Sequence, residues 1–445
     1  MRLKQLLLLL FLLFSVYGFS QSEFQINNSK NKVVIPFKLI NNLIFIPVRV
    51  NGEELTFLLD TGVEQTILFS LDDKDEVKLF EVEKLKLKGL GSNDAIDSYK
   101  SSKNKFEIGD FVDYNHEIYI VLDQEFNFSS QVGIPVNGII GSNFFKKHIV
   151  EINYDRRKII VYNHDNKKIN NRLQKKFVKD SITIEDKKPY YVSNIKTGEK
   201  TISSKLLVDT GNSDAVWLFL NKTDKIKLPE KNIQDYLGRG FSGNVYGKRA
   251  RLNSFEFGKK TFDFPLITFP DSASVKSVNF VPNRIGSVGS EIISRFTVVF
   301  DYLNNAIYTK PNKQIDEPFH FNMSGIEVEH AGLEWVKDFY EDRQSQGIKI
   351  YTNSQSDERI QSNLKIHFEL KPIFKIASVR VSSEAEKAGL KVGDRILRIN
   401  HQSSQGYTIE MINELLKSEE GKTIEMEIER ENKIYKFKFQ LKNII

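Results

Sequence analysis

The triplet Asp-Thr-Gly occurs twice in this chain, as Asp60-Thr61-Gly62 and Asp209-Thr210-Gly211, 149 residues apart. Each follows an apolar run, Phe57-Leu58-Leu59 in one case and Leu206-Leu207-Val208 in the other. Such runs read as buried strands. Each triplet then puts a carboxylate where the chain leaves the core, and its glycine lets the backbone turn sharply. One triplet alone would be an ordinary turn, since Asp and Gly are common turn residues. Other landmarks repeat as well. Gly89-Leu90-Gly91 and Gly238-Arg239-Gly240 are also 149 residues apart, and Gly141 of Gly138-Ile139-Ile140-Gly141-Ser142 precedes Gly289 of Gly286-Ser287-Val288-Gly289-Ser290 by 148. Both are followed by an apolar stretch, a short turn and a second stretch, Ile149 to Tyr162 and Phe296 to Tyr308. Landmarks kept in order at a constant offset are the mark of an internal duplication. Two similar lobes are expected, with one carboxylate from each meeting at their interface. Like charges held close share a proton, so the pair can serve as acid and base together.

On these residues the chain resembles a bacterial two-lobed aspartyl protease of the retropepsin and pepsin superfamily, over about residues 33–312. The resemblance implies that Asp60 and Asp209 are the catalytic pair, holding a water that attacks the peptide carbonyl. It implies that Thr61 and Thr210 brace the two loops while Gly62 and Gly211 allow close approach. An apolar-apolar-Gly segment is expected to thread beneath each loop. Ile139-Ile140-Gly141 fits well, whereas Ser287-Val288-Gly289 has Ser at the first apolar position. The glycine pairs Gly89/Gly91 and Gly238/Gly240 fall where the family carries its β-hairpin flaps. One departure matters: many members have Ser or Thr after the glycine, and this chain has Val63 and Asn212. Losing a hydrogen bond to the charged form raises a carboxylate pKa, so a milder pH optimum than in gastric-type relatives is expected.

Short apolar runs separated by Gly, Asn and Asp turns predict a mainly β fold. Two pseudo-symmetric acid-protease β-barrel lobes are expected at 33–162 and 175–312. Asn163 to Lys176, rich in Asn and Lys, reads as a solvated connection between them. Met1-Arg2-Leu3-Lys4, an apolar run through Phe14 and small residues at Gly18 and Ser20 match a secretory signal peptide over 1–20. That run is short for a membrane span. A soluble exported protein, periplasmic or secreted, without stable membrane insertion is expected. The chain has no cysteine, which excludes disulfides, a thiol nucleophile and Cys-type metal sites. Its net charge is +6, and the lysines are interspersed with acids rather than forming a stripe with aromatics, so nucleic acid is not an expected partner. The seven histidines are dispersed without metalloprotease spacing, and no metal or cofactor is expected. Gly238 to Gly243 formally fits a dinucleotide fingerprint but lacks the strand-to-helix context.

After residue 315 the pattern changes. Ser383 to Asn400 reads as a short helix from Glu384 to a stop at Gly389, a turn at Gly393-Asp394, and a strand through Ile396, Leu397 and Ile399. Ile409, Ile412, Leu415 and Leu416 have helical spacing, with Gly421 as a stop, and strands Ile424 to Ile428 and Ile434 to Leu441 follow. This segment resembles the core of a PDZ domain, an α+β fold expected at 318–443. The resemblance implies capture of a peptide with a free C-terminus, added as a strand beside the helix within Thr408 to Lys417, at Ile409. Met323 to Val328 is the candidate carboxylate loop, through Gly325 and Ile326. Lys337 to Lys365 would then be an insertion; an alternative puts the edge strand at Leu364 to Leu370. Two functions are compatible with these residues. One is an exported aspartic endopeptidase whose PDZ domain recruits or gates peptide and protein substrates. The other is a catalytically inactive peptide-binding protein of the cell envelope. The intact aspartate pair favours the first.

Overall fold

The computed structural model describes residues 23–71, 77–87, 96–121, 128–240, 243–276, 280–341 and 364–445. The proposed signal segment and the glycines Gly89 and Gly91 lie outside them. The chain divides into two compact units, one built from residues up to 129 with 134–321 and 444–445, the other from 130–133 with 322–443. Both are mainly β, as the short alternating apolar runs predict.

In the first unit the duplication becomes a pseudo-two-fold arrangement. Strand Glu53–Leu59 runs parallel to Gly138–Ile140, with Ile139 opposite Leu58, and Gly138–Ile140 pairs on its other side with Thr66–Leu68. The second copy repeats this. Lys200–Val208 runs parallel to Arg284–Val288, with Ser287 opposite Leu207, and Arg284–Val288 also pairs with Val216–Leu218. Strands buried on both faces read as continuous apolar runs. Phe57, Leu59, Ile140, Leu206, Val208 and Val288 are accordingly all fully buried.

A sheet joins the two lobes. Ile149–Asn153 pairs with Phe296–Asp301 across the pseudo-axis, with Val150 opposite Phe300. On the lobe 1 side Lys158–Tyr162 and then Lys32–Pro36 continue it. On the lobe 2 side Ala306–Pro311 and then Val178–Glu185 do so. Each lobe thus contributes three strands, taken from both its ends.

The stretch expected to be a solvated connection is instead partly an amphipathic helix, Lys167–Lys176. Asn166 caps it, its side-chain oxygen accepting from the N–H groups of Lys168 (3.1 Å) and Ile169 (3.4 Å). Ile169 and Leu173, four apart and so on one face, are buried against Ile149, Ile160 and Val299 of the joining sheet. Burial of two such side chains contributes roughly 1.5–3 kcal/mol each, enough to outweigh the polar composition. Arg172 of the same helix pairs with Glu151, a carboxylate buried in that sheet.

The second unit has a sheet in the order Ile326–Glu341, Leu364–Val379, Arg395–Ile399, Thr423–Arg430, Lys433–Gln440. Helix Glu384–Ala388 starts at Ser383, whose hydroxyl accepts from Glu386 N–H (3.2 Å), and stops at Gly389 in the left-handed region (φ 102°). Asp394, in the turn, is buried in a bidentate pair with Arg430 (both contacts 2.6 Å). The expected insertion takes a different form at its ends. Ile326–Glu341 and Leu364–Val379 run on as one antiparallel arm, with Trp335 opposite Leu370 and Glu341 opposite Leu364. Leu364 to Leu370 is therefore the inner partner of the arm, and the edge of the sheet is Ile326–Glu341.

Candidate active site

Two loops meet where strands Glu53–Leu59 and Lys200–Val208 end. In lobe 1, Asp60 N–H donates to Ile140 O (3.0 Å), and Ser142 N–H to Val63 O (2.8 Å). In lobe 2, Asp209 N–H donates to Val288 O (2.9 Å), and Ser290 N–H to Asn212 O (2.7 Å). The later strand thus underlies each loop and is stitched to it at both ends, with the Ser287 substitution leaving this arrangement intact.

The threonines hold the loops together. Thr61 Oγ1 donates to Val208 O (2.6 Å) and accepts from Thr210 N–H (3.0 Å). Thr210 Oγ1 donates to Leu59 O (3.0 Å) and accepts from Thr61 N–H (3.0 Å). Both threonines are fully buried, and the hydroxyl and N–H of each are engaged across the crossing. The glycines set how closely the aspartates approach. A Cβ on Gly62 would lie 2.6 Å from Asp209 Oδ1, and one on Gly211 would lie 2.2 Å from Asp60 Cγ. Each glycine therefore packs against the carboxyl of the opposite lobe.

The two carboxyls act on each other, and each accepts from its own loop. Gly62 N–H donates to Asp60 Oδ1 (2.6 Å) and Gly211 N–H to Asp209 Oδ1 (3.2 Å). Burial, and then the neighbouring Asp209 carboxylate, push the Asp60 carboxyl up from its ordinary range. Burial also raises Asp209, opposed by the Arg284 guanidinium. A buried carboxyl pair of this kind retains one proton between its members, the state needed for paired acid and base chemistry. Asn212 uses its side chain elsewhere, accepting from Asp214 N–H (3.0 Å) and donating to Ser287 Oγ (3.5 Å). The upward shifts thus trace first to burial of the two carboxyls.

Residues 46–144 match the family model described as aspartyl protease, and residues 375–430 match the model described as PDZ domain. The chain carries an aspartyl protease domain and a PDZ domain. The aspartyl protease match falls on lobe 1, and the geometry above repeats its elements in lobe 2. Among solved structures, the aspartic proteinase from Irpex lacteus is 13% identical, with 64% of this chain and 99% of that one covered and a TM-score of 0.41. No curated protein matches the chain.

Of the glycines expected to mark flaps, Gly238 and Gly240 lie near the end of strand Asn232–Gly240, which pairs with Gly243–Arg251 as a hairpin. Gly238 sits at a bulge with φ 127°. In lobe 1, Glu83–Leu87 and Ile96–Ile108 pair in the same way on either side of the undescribed Gly89 and Gly91.

In the PDZ domain, the edge strand begins at Ile326, and helix Ile409–Leu416 lies against that strand. Gly325 has φ 83°, and a Cβ there would fall 2.2 Å from Ser383 Cβ. Ile326 and Ile409 are both buried, so their side chains serve the core. The loop's donors are already engaged. Asn322 Oδ1 accepts from Ser324 N–H (3.1 Å) and Gly325 N–H (3.4 Å), and Ser324 Oγ accepts from Ile326 N–H (3.2 Å). A peptide carboxylate captured here would have to displace the Asn322 side chain.

Sequence reasoning missed the residues that frame the aspartates. Asn42 Nδ2 of lobe 1 donates to Ser213 O (3.2 Å), four residues past Asp209. Lys187 Nζ of lobe 2 pairs with Glu64, four residues past Asp60. Both belong to two-residue hairpin turns with positive φ, Asn41-Asn42 (49°, 66°) and Asp186-Lys187 (46°, 62°). Asn-Asn is a visible turn signal. Asp-Lys is not, which is why the second turn goes unread.

Proposed function

We propose that this protein is an aspartic endopeptidase in which Asp60 and Asp209 activate a water for attack on a peptide bond. The ionised carboxylate takes a proton from the water as its oxygen adds to the carbonyl carbon. The protonated member donates a hydrogen bond to the carbonyl oxygen, and a proton then passes to the leaving nitrogen as the C–N bond breaks. Thr61, Thr210, Gly62 and Gly211 hold the pair together, and the strand pairs Glu83–Leu87/Ile96–Ile108 and Asn232–Gly240/Gly243–Arg251 flank the peptide. The observation that carries this reading is the reciprocal packing of each loop glycine against the opposite carboxyl. A protein that only bound peptides would gain nothing from two desolvated acids.

The domain extents that go with it are lobe 1 at 33–162, lobe 2 at 175–312 and the PDZ domain at 318–443. Residues 1–20 act as an export signal, delivering the protein to the periplasm or the exterior. Among the described residues, no helix is long and apolar enough to cross a membrane. In this reading the PDZ domain recruits peptides by strand addition along Ile326–Glu341, an edge of the sheet among the described residues. The deciding experiment is cleavage of a mixed peptide library by residues 21–445 from acid to neutral pH, beside Asp60→Asn and Asp209→Asn. Cleavage that both substitutions abolish supports the reading. Absence of cleavage by the unsubstituted chain, with and without the PDZ domain, leaves the peptide-binding function instead.

A further inference from the structure

The lobes differ at the residue that faces each aspartate across its hairpin. In lobe 1, strand Leu43–Val50 pairs with Glu53–Leu59 so that Phe45 stands opposite Leu58 and Ile46 opposite Phe57. Carried to the strand end, that register sets Leu43 opposite Asp60. In lobe 2, Lys188–Thr197 pairs with Lys200–Val208, with Tyr190 opposite Leu207 and Tyr191 opposite Leu206. The same count sets Lys188 opposite Asp209. Residues directly opposite in an antiparallel pair share a face of the sheet. Leu43 is buried, whereas Lys188 is half-buried beside the aspartates, and its charge favours the ionised form of both.

The acids around Lys188 have other partners. Glu185, opposite it in the hairpin, pairs with Lys205 (2.6 Å), and Glu64 pairs with Lys187. Among the described residues Lys188 itself makes no ion pair. A second cation, Arg284, also acts on Asp209. Counting two residues back from Gly138 and Gly286, lobe 1 has buried Val136 where lobe 2 has buried Arg284. The Arg284 guanidinium lies over the rings of Phe219 (5.4 Å) and Phe280 (5.2 Å). Lobe 2 thus presents positive charge at the two positions where lobe 1 is apolar.

We propose that Lys188 determines specificity, its ammonium taking an acidic side chain of the peptide on the Asp209 side, while the matching position beside Leu43 takes an apolar one. The inference rests on the cleft being a peptide-binding site of the proteolytic kind. Its test uses peptides whose scissile bond is replaced by a non-cleavable hydroxyethylene group, so that binding is read without catalysis. Glu, Gln, Leu and Lys are placed in turn at each position on either side, and affinities for the full chain are measured by fluorescence anisotropy. One position should favour Glu over Gln by about tenfold, in line with a charge-assisted hydrogen bond. K188R should keep that ratio, K188M should bring it to about one, and K188E should turn the preference toward Lys, as complementary charges require. No Glu preference at any position, or one that survives in K188M, overturns the proposal. Binding by none of the peptides overturns both it and the peptidase reading. Glu-selective binding with no cleavage of the matching natural peptide sinks the peptidase reading alone.

Discussion

Lobe 1 and lobe 2 bend the same backbone around their aspartates and furnish it differently. Both pass a strand beneath the loop, both tie the loop to the other lobe through a threonine, and both send a hairpin turn across to the residue four past the opposite aspartate. Around that shared frame, lobe 1 sets Leu43 and Val136 where lobe 2 sets Lys188 and Arg284. Lobe 1 also buries a chain of its own, Asp113–His116–Thr66, with ring contacts of 2.8 and 2.7 Å. Lobe 2 buries Arg249 between Asp214 (2.8 Å) and Asp235 (2.9 Å). What two-fold chemistry requires is kept twice. What lies in only one lobe's surroundings differs between them.

The hardest blow to the symmetric part is removal of either carboxyl. Asp60→Asn and Asp209→Asn should each lower kcat/KM for a cleaved peptide by more than about 10³-fold, the scale of lost acid–base catalysis. A variant that kept a tenth of the activity would show that the lobes are not equal partners. Next come the threonines. Thr61→Ala and Thr210→Ala each strand a buried N–H and a buried carbonyl, so each should cost about 2–4 kcal/mol in urea unfolding. Unequal losses would mean that one loop relaxes and the other does not.

The pH dependence sharpens the comparison. Burial raises both carboxyls, so the native state keeps a proton where the unfolded chain has lost it. Stability from this pair is fully present below about pH 4, where unfolded aspartates titrate, and falls as pH rises toward the folded values. The slope is up to about 1.4 kcal/mol per pH unit for each retained proton. Asp60→Asn should flatten it, read from urea midpoints between pH 4 and 8. The smallest effects belong to the turn contacts. Asn42→Ala and Lys187→Ala should each cost under about 1 kcal/mol, because the groups are exposed or partly so. A double variant losing much more than the sum would reveal coupling between the turns through the paired loops.

The meeting of the two Asp-Thr-Gly loops and both domain types were legible because each is carried by a few residues in fixed local order, from Asp-Thr-Gly to the Gly389 stop. The helix Lys167–Lys176 was not, because its signal is only Ile169 and Leu173 four apart amid lysines and asparagines. Its stability comes from a sheet assembled from distant segments of both lobes, which no local window contains. Lys188 was hidden for a related reason. Its relation to Asp209 exists only once the turn at Gly198-Glu199 fixes the register. In the PDZ domain, the pattern gave the position of the loop at Gly325 but not that Asn322 already fills it.

The joining sheet carries a further consequence. Lobe 1 cut away from lobe 2 would expose Ile149–Asn153 as a bare inner edge, and lobe 2 would expose Phe296–Asp301. Because these strands meet across a pseudo-two-fold axis, the surface each half loses resembles the surface it could offer to a twin. A lone half would be a sticky monomer whose natural remedy is a homodimer, with two identical Asp-Thr-Gly loops facing each other and the same residue, leucine or lysine, on both sides of the peptide.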